Sequence, residues 1–204
     1  MAKVPVAGRV KTRLARQIGV SAALRFYRTT SAALLARLAR QPFWETHLAI
    51  TPNADARSRV FPADVRRLGQ GSGDLGARMQ RPMRVLPPGP VCVIGTDIPD
   101  IRVADIRAAF HVLGSRDVVF GPAEDGGFWL VGQRRRPRLI EPYAGVRWSH
   151  ADTLADVLAN LRGVGDGVGA GIRVGVGVGF TTTLSDVDAP ADLTRHAHLI
   201  GRRV

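Results

Sequence analysis

Val91-Cys92-Val93-Ile94-Gly95-Thr96-Asp97-Ile98-Pro99-Asp100, residues 91–100, is the stretch on which the fold turns. Four consecutive apolar residues come after the hard break Pro87-Pro88-Gly89-Pro90 and give way at once to a polar loop. An unbroken apolar run, rather than an alternating one, is the pattern of a strand covered on both faces inside a parallel sheet. In such sheets ligands bind outside the carboxyl ends of the strands, which is where Asp97 falls.

Working outward, apolar spacing predicts a helix over residues 21–39, with Leu24, Tyr27, Leu34, Leu35 and Leu38 near one face and Pro42 beyond its end. Short strands are expected at 47–51 and 65–68. A helix capped by Asp74 should run to about Val85. Beyond the central strand come a helix at 103–113, strands at 117–120 and 128–131, and a helix at 153–161. Residues 163–179 are rich in glycine, and 172–180 alternates apolar residues with glycine as a weak strand would. A last strand ends near Val187, and a final helix over 189–199 carries Pro190 in its first turn. Strands alternating with helices imply an α/β fold whose mostly parallel sheet is flanked by helices. The 204 residues fit a single domain, 1–204.

The chain is 45% hydrophobic, enough for a sizeable core, and no apolar run approaches the ~18 residues of a membrane span. Cys92 is the single cysteine, so a disulfide framework is excluded. A cytoplasmic protein is the expectation. The net charge of +12 invites a nucleic-acid reading, but the arginines are scattered and aromatics make up only 6%, which argues against that footprint. The excess charge suits anionic small substrates. Of 29 basic residues only Lys3 and Lys11 are lysines, and both fall within residues 3–11. A compact, rotatable ammonium is a different tool from a guanidinium, so this clustering singles the segment out.

Five motifs carry candidate chemistry. Residues 3–14, KVPVAGRVKTRL, place Lys3, Arg9, Lys11 and Arg13 around a loop containing Gly8. Free backbone N–H groups and four cations suit a di- or triphosphate; the competing reading is a solvated basic tail, and a Walker A spacing is absent. Residues 70–79, QGSGDLGARM, offer Gly71, Gly73 and Gly76 for close backbone approach to a nucleotide, or simply a helix start capped by Asp74. In residues 93–100, Asp97 can hold Mg²⁺ or Mn²⁺ against a pyrophosphate, or be a turn residue. In residues 121–130, GPAEDGGFWL, Glu124 or Asp125 can bind an acceptor hydroxyl or act as a base, with Gly126, Gly127 and Trp129 beside it; the alternative is a plain hairpin turn. In residues 184–193, LSDVDAPADL, Asp188 can be a second metal ligand or a helix cap.

In this order the five motifs resemble a bacterial family of GT-A-type glycosyltransferases, some of them associated with radical-SAM proteins and arsenosugar biosynthesis. That family is related to the molybdenum-cofactor and 2-phospholactate nucleotidyltransferases. The resemblance runs from residue 3 to about residue 194. It implies a Rossmann-like GT-A fold, a nucleotide or nucleotide-sugar donor, a small-molecule acceptor and a divalent ion, Mg²⁺ or Mn²⁺. It carries metal binding onto Asp97 and Asp188, with Asp97 catalytic as well. Phosphate contact passes to Lys11 and Arg13, in the loop with Lys3 and Arg9, and base or ribose contact to the Gly71, Gly73, Asp74 and Gly76 loop. The acceptor side passes to Asp125, Gly126, Gly127 and Trp129, with Asp125 as a catalytic candidate. Two transferase chemistries stay open, glycosyl transfer from a nucleotide sugar and nucleotidyl transfer from a triphosphate. Such proteins also open with an apolar strand of about five residues before this loop. Met1 stands where that strand would end, so the expectation is a truncated first strand or a misplaced start codon.

Overall fold

The computed structural model describes residues 1–163, 175–185, 187 and 192. They divide into two compact units. The first holds Met1–Gln70, Gly95–Val103 and the described residues Val187 and Asp192; the second holds Gly71–Ile94 and the described part of Ala104–Ser185.

In the first unit, β1 (Ala2–Lys3), β2 (His47–Thr51) and β3 (Arg66–Gly69) form a wholly parallel sheet in the order β1-β2-β3. Ala2 is opposite Ile50, and Leu48 is opposite Arg67. The crossover from β1 to β2 carries two helices, α1 (Thr12–Ile18) and α2 (Val20–Leu38). Gly19, at φ 89°, separates them. The basic stretch is therefore partly helical, with Arg13 inside α1 and Lys11 as its N-cap. The buried face of α2 is Ala23, Phe26, Tyr27, Thr30, Ser31, Leu34, Leu35 and Leu38. Steps of three and one residue make this a single helical stripe. Leu35 packs with Ala2, Leu48, Ile50, Phe61 and Val65, while Phe26 and Ala23 pack with Leu14 and Val187. Each large side chain so buried contributes roughly 1.5–3 kcal/mol. Buried Gln70 satisfies two carbonyls of the sheet, its amide donating to Ala2 O at 3.1 Å and Ala49 O at 2.9 Å.

The second unit has a four-stranded sheet in the order β4-β6-β5-β7, from β4 (Val91–Ile94), β5 (Val118–Pro122), β6 (Phe128–Gln133) and β7 (Val178–Phe180). β6 is antiparallel to β4 and to β5, whereas β5 and β7 are parallel, so β6 is the one reversed strand among the described residues. Val118, Val119 and Phe120 of β5 are completely buried. α3 (Leu75–Val85), α4 (Val103–Val112) and α5 (Thr153–Gly163) supply the helices.

The α/β character and the mostly parallel strands agree with the expected fold. One detail differs. β4, expected in the middle of a parallel run, has the antiparallel β6 as its partner among the described strands, and of its residues only Val93 is buried. The cause is the turn at residues 123–127, which folds β6 back so that it lies between β4 and β5. Gly126 makes that turn at φ 85°, where a Cβ would overlap the carbonyl oxygen of Ala151. Residues 164–174 and the expected final helix at 189–199, apart from Asp192, lie outside the described residues.

Single guanidiniums hold several irregular segments. Arg67 donates to Ser58 O at 2.8 Å, Phe61 O at 2.8 Å and Pro62 O at 2.9 Å. Arg37 donates to Pro99 O at 2.9 Å and Ile101 O at 2.6 Å. Arg135 donates to the carbonyls of Met83 and Leu86, both at 2.9 Å, Gly89 at 2.6 Å, and also Pro87. Five donors in a fixed fork suit this use.

Candidate functional site

The first unit brings the basic loop and the Asp97 loop together. After β1 the chain makes two tight turns, with Val6 N donating to Val4 O at 2.9 Å and Arg9 N to Val6 O at 3.0 Å. Gly8 turns at φ 74° with open space where a Cβ would stand. Val10 and Leu14, 3% and 0% exposed, pin the loop to the core, while Lys3, Arg9 and Arg13 stay exposed. Lys11 adopts φ 44°, ψ 48°, a left-handed conformation that costs a residue with a Cβ about 1–2 kcal/mol. Its ammonium reaches Asp97 Oδ2 at 3.0 Å, with side-chain exposures of 6% for the lysine and 37% for the aspartate.

Asp97 stands on a loop fixed from both sides. On its C-terminal side Ile98 and Ile101, 4% and 0% exposed, anchor the chain in the core, and Arg37 holds the carbonyls of Pro99 and Ile101. A side chain at position 95 would meet Asp97 Oδ1 at 2.8 Å, so Gly95 leaves the carboxylate its room. Ahead of Asp97, Thr96 is 6% exposed and its hydroxyl donates to Met1 O at 3.2 Å. Tyr27 Oη accepts from Lys3 N at 2.8 Å, and its single proton is shared between Lys3 O at 3.1 Å and the Thr96 hydroxyl at 3.2 Å. Burial pushes the Tyr27 phenol above its ordinary pKa, against the pull of its hydrogen bonds to Thr96 and Lys3. Sequence reasoning does not single out Tyr27 or Thr96 for the site. The available signal is three hydroxyls, at 27, 30 and 31, inside the buried stripe of a helix.

The donor set tests the expected divalent ion. Asp97 supplies one hard, partly exposed carboxylate; the Lys11 ammonium at 3.0 Å opposes a divalent ion there until an anion draws it off, so an ion would take its remaining ligands from phosphate oxygens and water. Among the described residues no three His, Cys, Asp or Glu side chains group into a cage. The second expected ligand, Asp188, lies outside the described residues, as does Asp186. A groove of about 870 Å³ runs between α2 and the 59–67 segment of the same unit, lined by Leu35, Phe61 and Val65 among others; neither Lys11 nor Asp97 lines it.

The second unit holds the other two motifs. Asp74 caps α3, its Oδ1 accepting from Ala77 N at 2.8 Å and its Oδ2 from Trp148 Nε1 at 3.3 Å. The Ala77 N–H, and after it the Trp148 N–H, hold the Asp74 carboxyl below its ordinary value. Gly71 and Gly73 turn at φ 83° and 97°. Gly76 is a packing position, since a Cβ there would come within 2.5 Å of Tyr143 Cβ and 2.8 Å of Trp148. Asp125 lies in the β5–β6 hairpin turn, its Oδ1 accepting from Gly127 N at 2.9 Å and the residue exposed. Trp129, placed on the acceptor side by sequence, is 3% exposed and donates its indole N–H to Thr182 O at 2.9 Å. It is a buried wall and presents no open ring face.

The fold is α/β, with mostly parallel strands flanked by helices, and its likeness to a solved structure places it in the Rossmann-like GT-A class. The solved structure of a protein from Desulfovibrio desulfuricans G20, described as a "putative nucleotide-diphospho-sugar transferase", superposes with a TM-score of 0.79. It is 26% identical, over 98% of this chain and 94% of that one. The model of the family described as "Uncharacterized protein conserved in bacteria (DUF2064)" matches residues 34–150, more than half of the sequence, and the chain belongs to that family. Among curated proteins none matches. No helix among the described residues is long and apolar enough to cross a membrane.

Proposed function

We propose that this chain is a cytoplasmic transferase that takes a nucleotide-activated donor, a nucleotide sugar, and passes its sugar to a small-molecule acceptor with the help of Mg²⁺ or Mn²⁺. The observation that carries the reading is the Lys11–Asp97 pair at 3.0 Å, set on the loop after the first strand of a fold like that of the Desulfovibrio protein. Lys3, Arg9, Lys11 and Arg13 offer positive charge to the donor phosphates. Asp97, with Asp188 as second ligand, would hold the divalent ion, which when bound offsets charge building on the diphosphate of the leaving nucleoside diphosphate. A donor phosphate arriving at Lys11 competes with Asp97 for its ammonium, so phosphate binding frees carboxylate oxygens for the ion. Gly71, Gly73 and Asp74 are assigned to the base and ribose, with Gly76 packing the start of α3 beneath them. Asp125, Gly126 and Gly127 are assigned to the acceptor, with Asp125 orienting a hydroxyl or accepting its proton and the buried Trp129 supporting their turn by packing.

Nucleotidyl transfer is the second reading, which a solitary Asp97 without any Asp-x-Asp fits equally well. A thermal-shift screen of nucleoside diphosphates, triphosphates and nucleotide sugars with each ion tests binding. A true ligand at a hundred times its Kd stabilises by about 2.7 kcal/mol. Product analysis then separates the chemistries, a nucleoside diphosphate from glycosyl transfer and pyrophosphate from nucleotidyl transfer. A screen in which no nucleotide raises Tm overturns both.

A further inference from the structure

We infer that Tyr27 is a positioning residue, whose phenol sets the Asp97 carboxylate against the basic loop. The inference rests on the reading of that site as a metal–phosphate site. Packing does not ask for the hydroxyl. Phe26, next to it on the same buried stripe, is 0% exposed and fills its space with an apolar ring. A buried hydroxyl is kept without penalty only when bonded, and this one is bonded at a crossing point. It accepts from the N–H of Lys3, the first cation of the loop, at 2.8 Å, and its one proton is shared between Lys3 O at 3.1 Å and Thr96 Oγ1 at 3.2 Å, the Thr96 proton going to Met1 O.

One turn further along α2, Ser31 Oγ donates to Thr96 O at 3.3 Å. Thr96 is thus held at its hydroxyl by Tyr27 and at its carbonyl by Ser31. That carbonyl belongs to the planar peptide unit that carries the Asp97 N–H, so fixing it fixes the direction in which Asp97 leaves the backbone. Two hydroxyls four residues apart on one helix face therefore determine where the carboxylate stands, while the same phenol fixes the exit of β1. Ligand-orienting groups behind a metal ligand matter in this way without touching the ion.

The test is Mn²⁺ with inorganic pyrophosphate, which needs no choice of base or sugar. Uptake is read by water-proton relaxation enhancement, which rises when the Mn²⁺–pyrophosphate complex is immobilised on the protein. Tyr27→Phe should weaken uptake about tenfold while the protein stays folded by circular dichroism. Thr96→Val should do the same, and Thr96→Ser should restore it. The double variant Tyr27→Phe/Thr96→Val should lose no more than either alone. If Asp97→Asn abolishes uptake but Tyr27→Phe and Thr96→Val leave it unchanged, only the positioning role is overturned. If Asp97→Asn binds as well as the wild type, or the wild type takes up none, the reading of the site fails and the inference with it. Should Tyr27→Phe not fold, Thr96→Val and its serine rescue decide alone.

Discussion

The ion pair between Lys11 and Asp97 predicts an asymmetry in stability. At 3.0 Å, unit charges attract by about 5 kcal/mol in a medium of effective dielectric about 20. Desolvating the ammonium, whose side chain is 6% exposed, takes back most of that, and solvent screens Asp97, which is 37% exposed. We expect a coupling of about 1–2 kcal/mol in a double-mutant cycle. The single changes should differ, because the group left behind sets the cost. Asp97→Asn takes an anion from a nearly buried ammonium and should cost about 2 kcal/mol, lowering Tm by roughly 4–8 °C for a chain of this size. Lys11→Met leaves a carboxylate that water can reach, and should cost about 1 kcal/mol. Urea unfolding of wild type, both singles and the double, at low and at half-molar salt, measures all four corners. A coupling below about 0.3 kcal/mol, or Lys11→Met costing more than Asp97→Asn, would refute the assignment of the buried partner.

Local geometry and charge yield two more expectations. Gly126→Ala should destabilise by about 3 kcal/mol, because φ 85° and the Ala151 carbonyl both oppose a Cβ, whereas Gly8→Ala, at φ 74° with nothing within 4 Å, should cost only about 1 kcal/mol; urea midpoints within error of each other would contradict this. The Asp156 carboxyl is held down to about 2, first by the Arg147 guanidinium and then by the Arg147 N–H. The unfolded chain, with an ordinary carboxyl near 3.9, binds the extra proton between about pH 4 and pH 2, so stability falls as pH drops through that window. Asp156→Asn should lose to the wild type above pH 4 and converge with it below; parallel curves down to pH 2 would exclude the linkage.

Much of this architecture can be read in the residues, and the reasons for the exceptions are physical. β2 and β4 end where their apolar runs meet Pro52 and Gly95, and α3 starts at the capping Asp74. These boundaries are set by local chemistry. α1 escapes detection because a seven-residue helix with Leu14 as its one buried residue has too few turns for a periodic signal. The reversal of β6 depends on pairing with β4 and β5, which no local pattern encodes. Within the site, charge and glycine mark Lys11 and Asp97, but not that they pair. Tyr27 reads as one more apolar position of α2, since its spacing is that of a core residue, and only the meeting of Lys3 with Thr96 gives its hydroxyl a purpose.

The guanidiniums of Arg37, Arg67 and Arg135 have a consequence for how the protein breathes. Each occupies the carbonyl side of an irregular segment and leaves the N–H side of that segment to other partners or to water. The fold of each segment is held by one rotatable side chain rather than by a ladder of bonds, so amide exchange there should respond to local openings well below the global unfolding free energy. A lysine in the same place has three donors and no fork, and cannot clasp four carbonyls as Arg135 does. Part of the +12 charge is therefore committed to closing the protein's own loops and is not free to gather anions from solution.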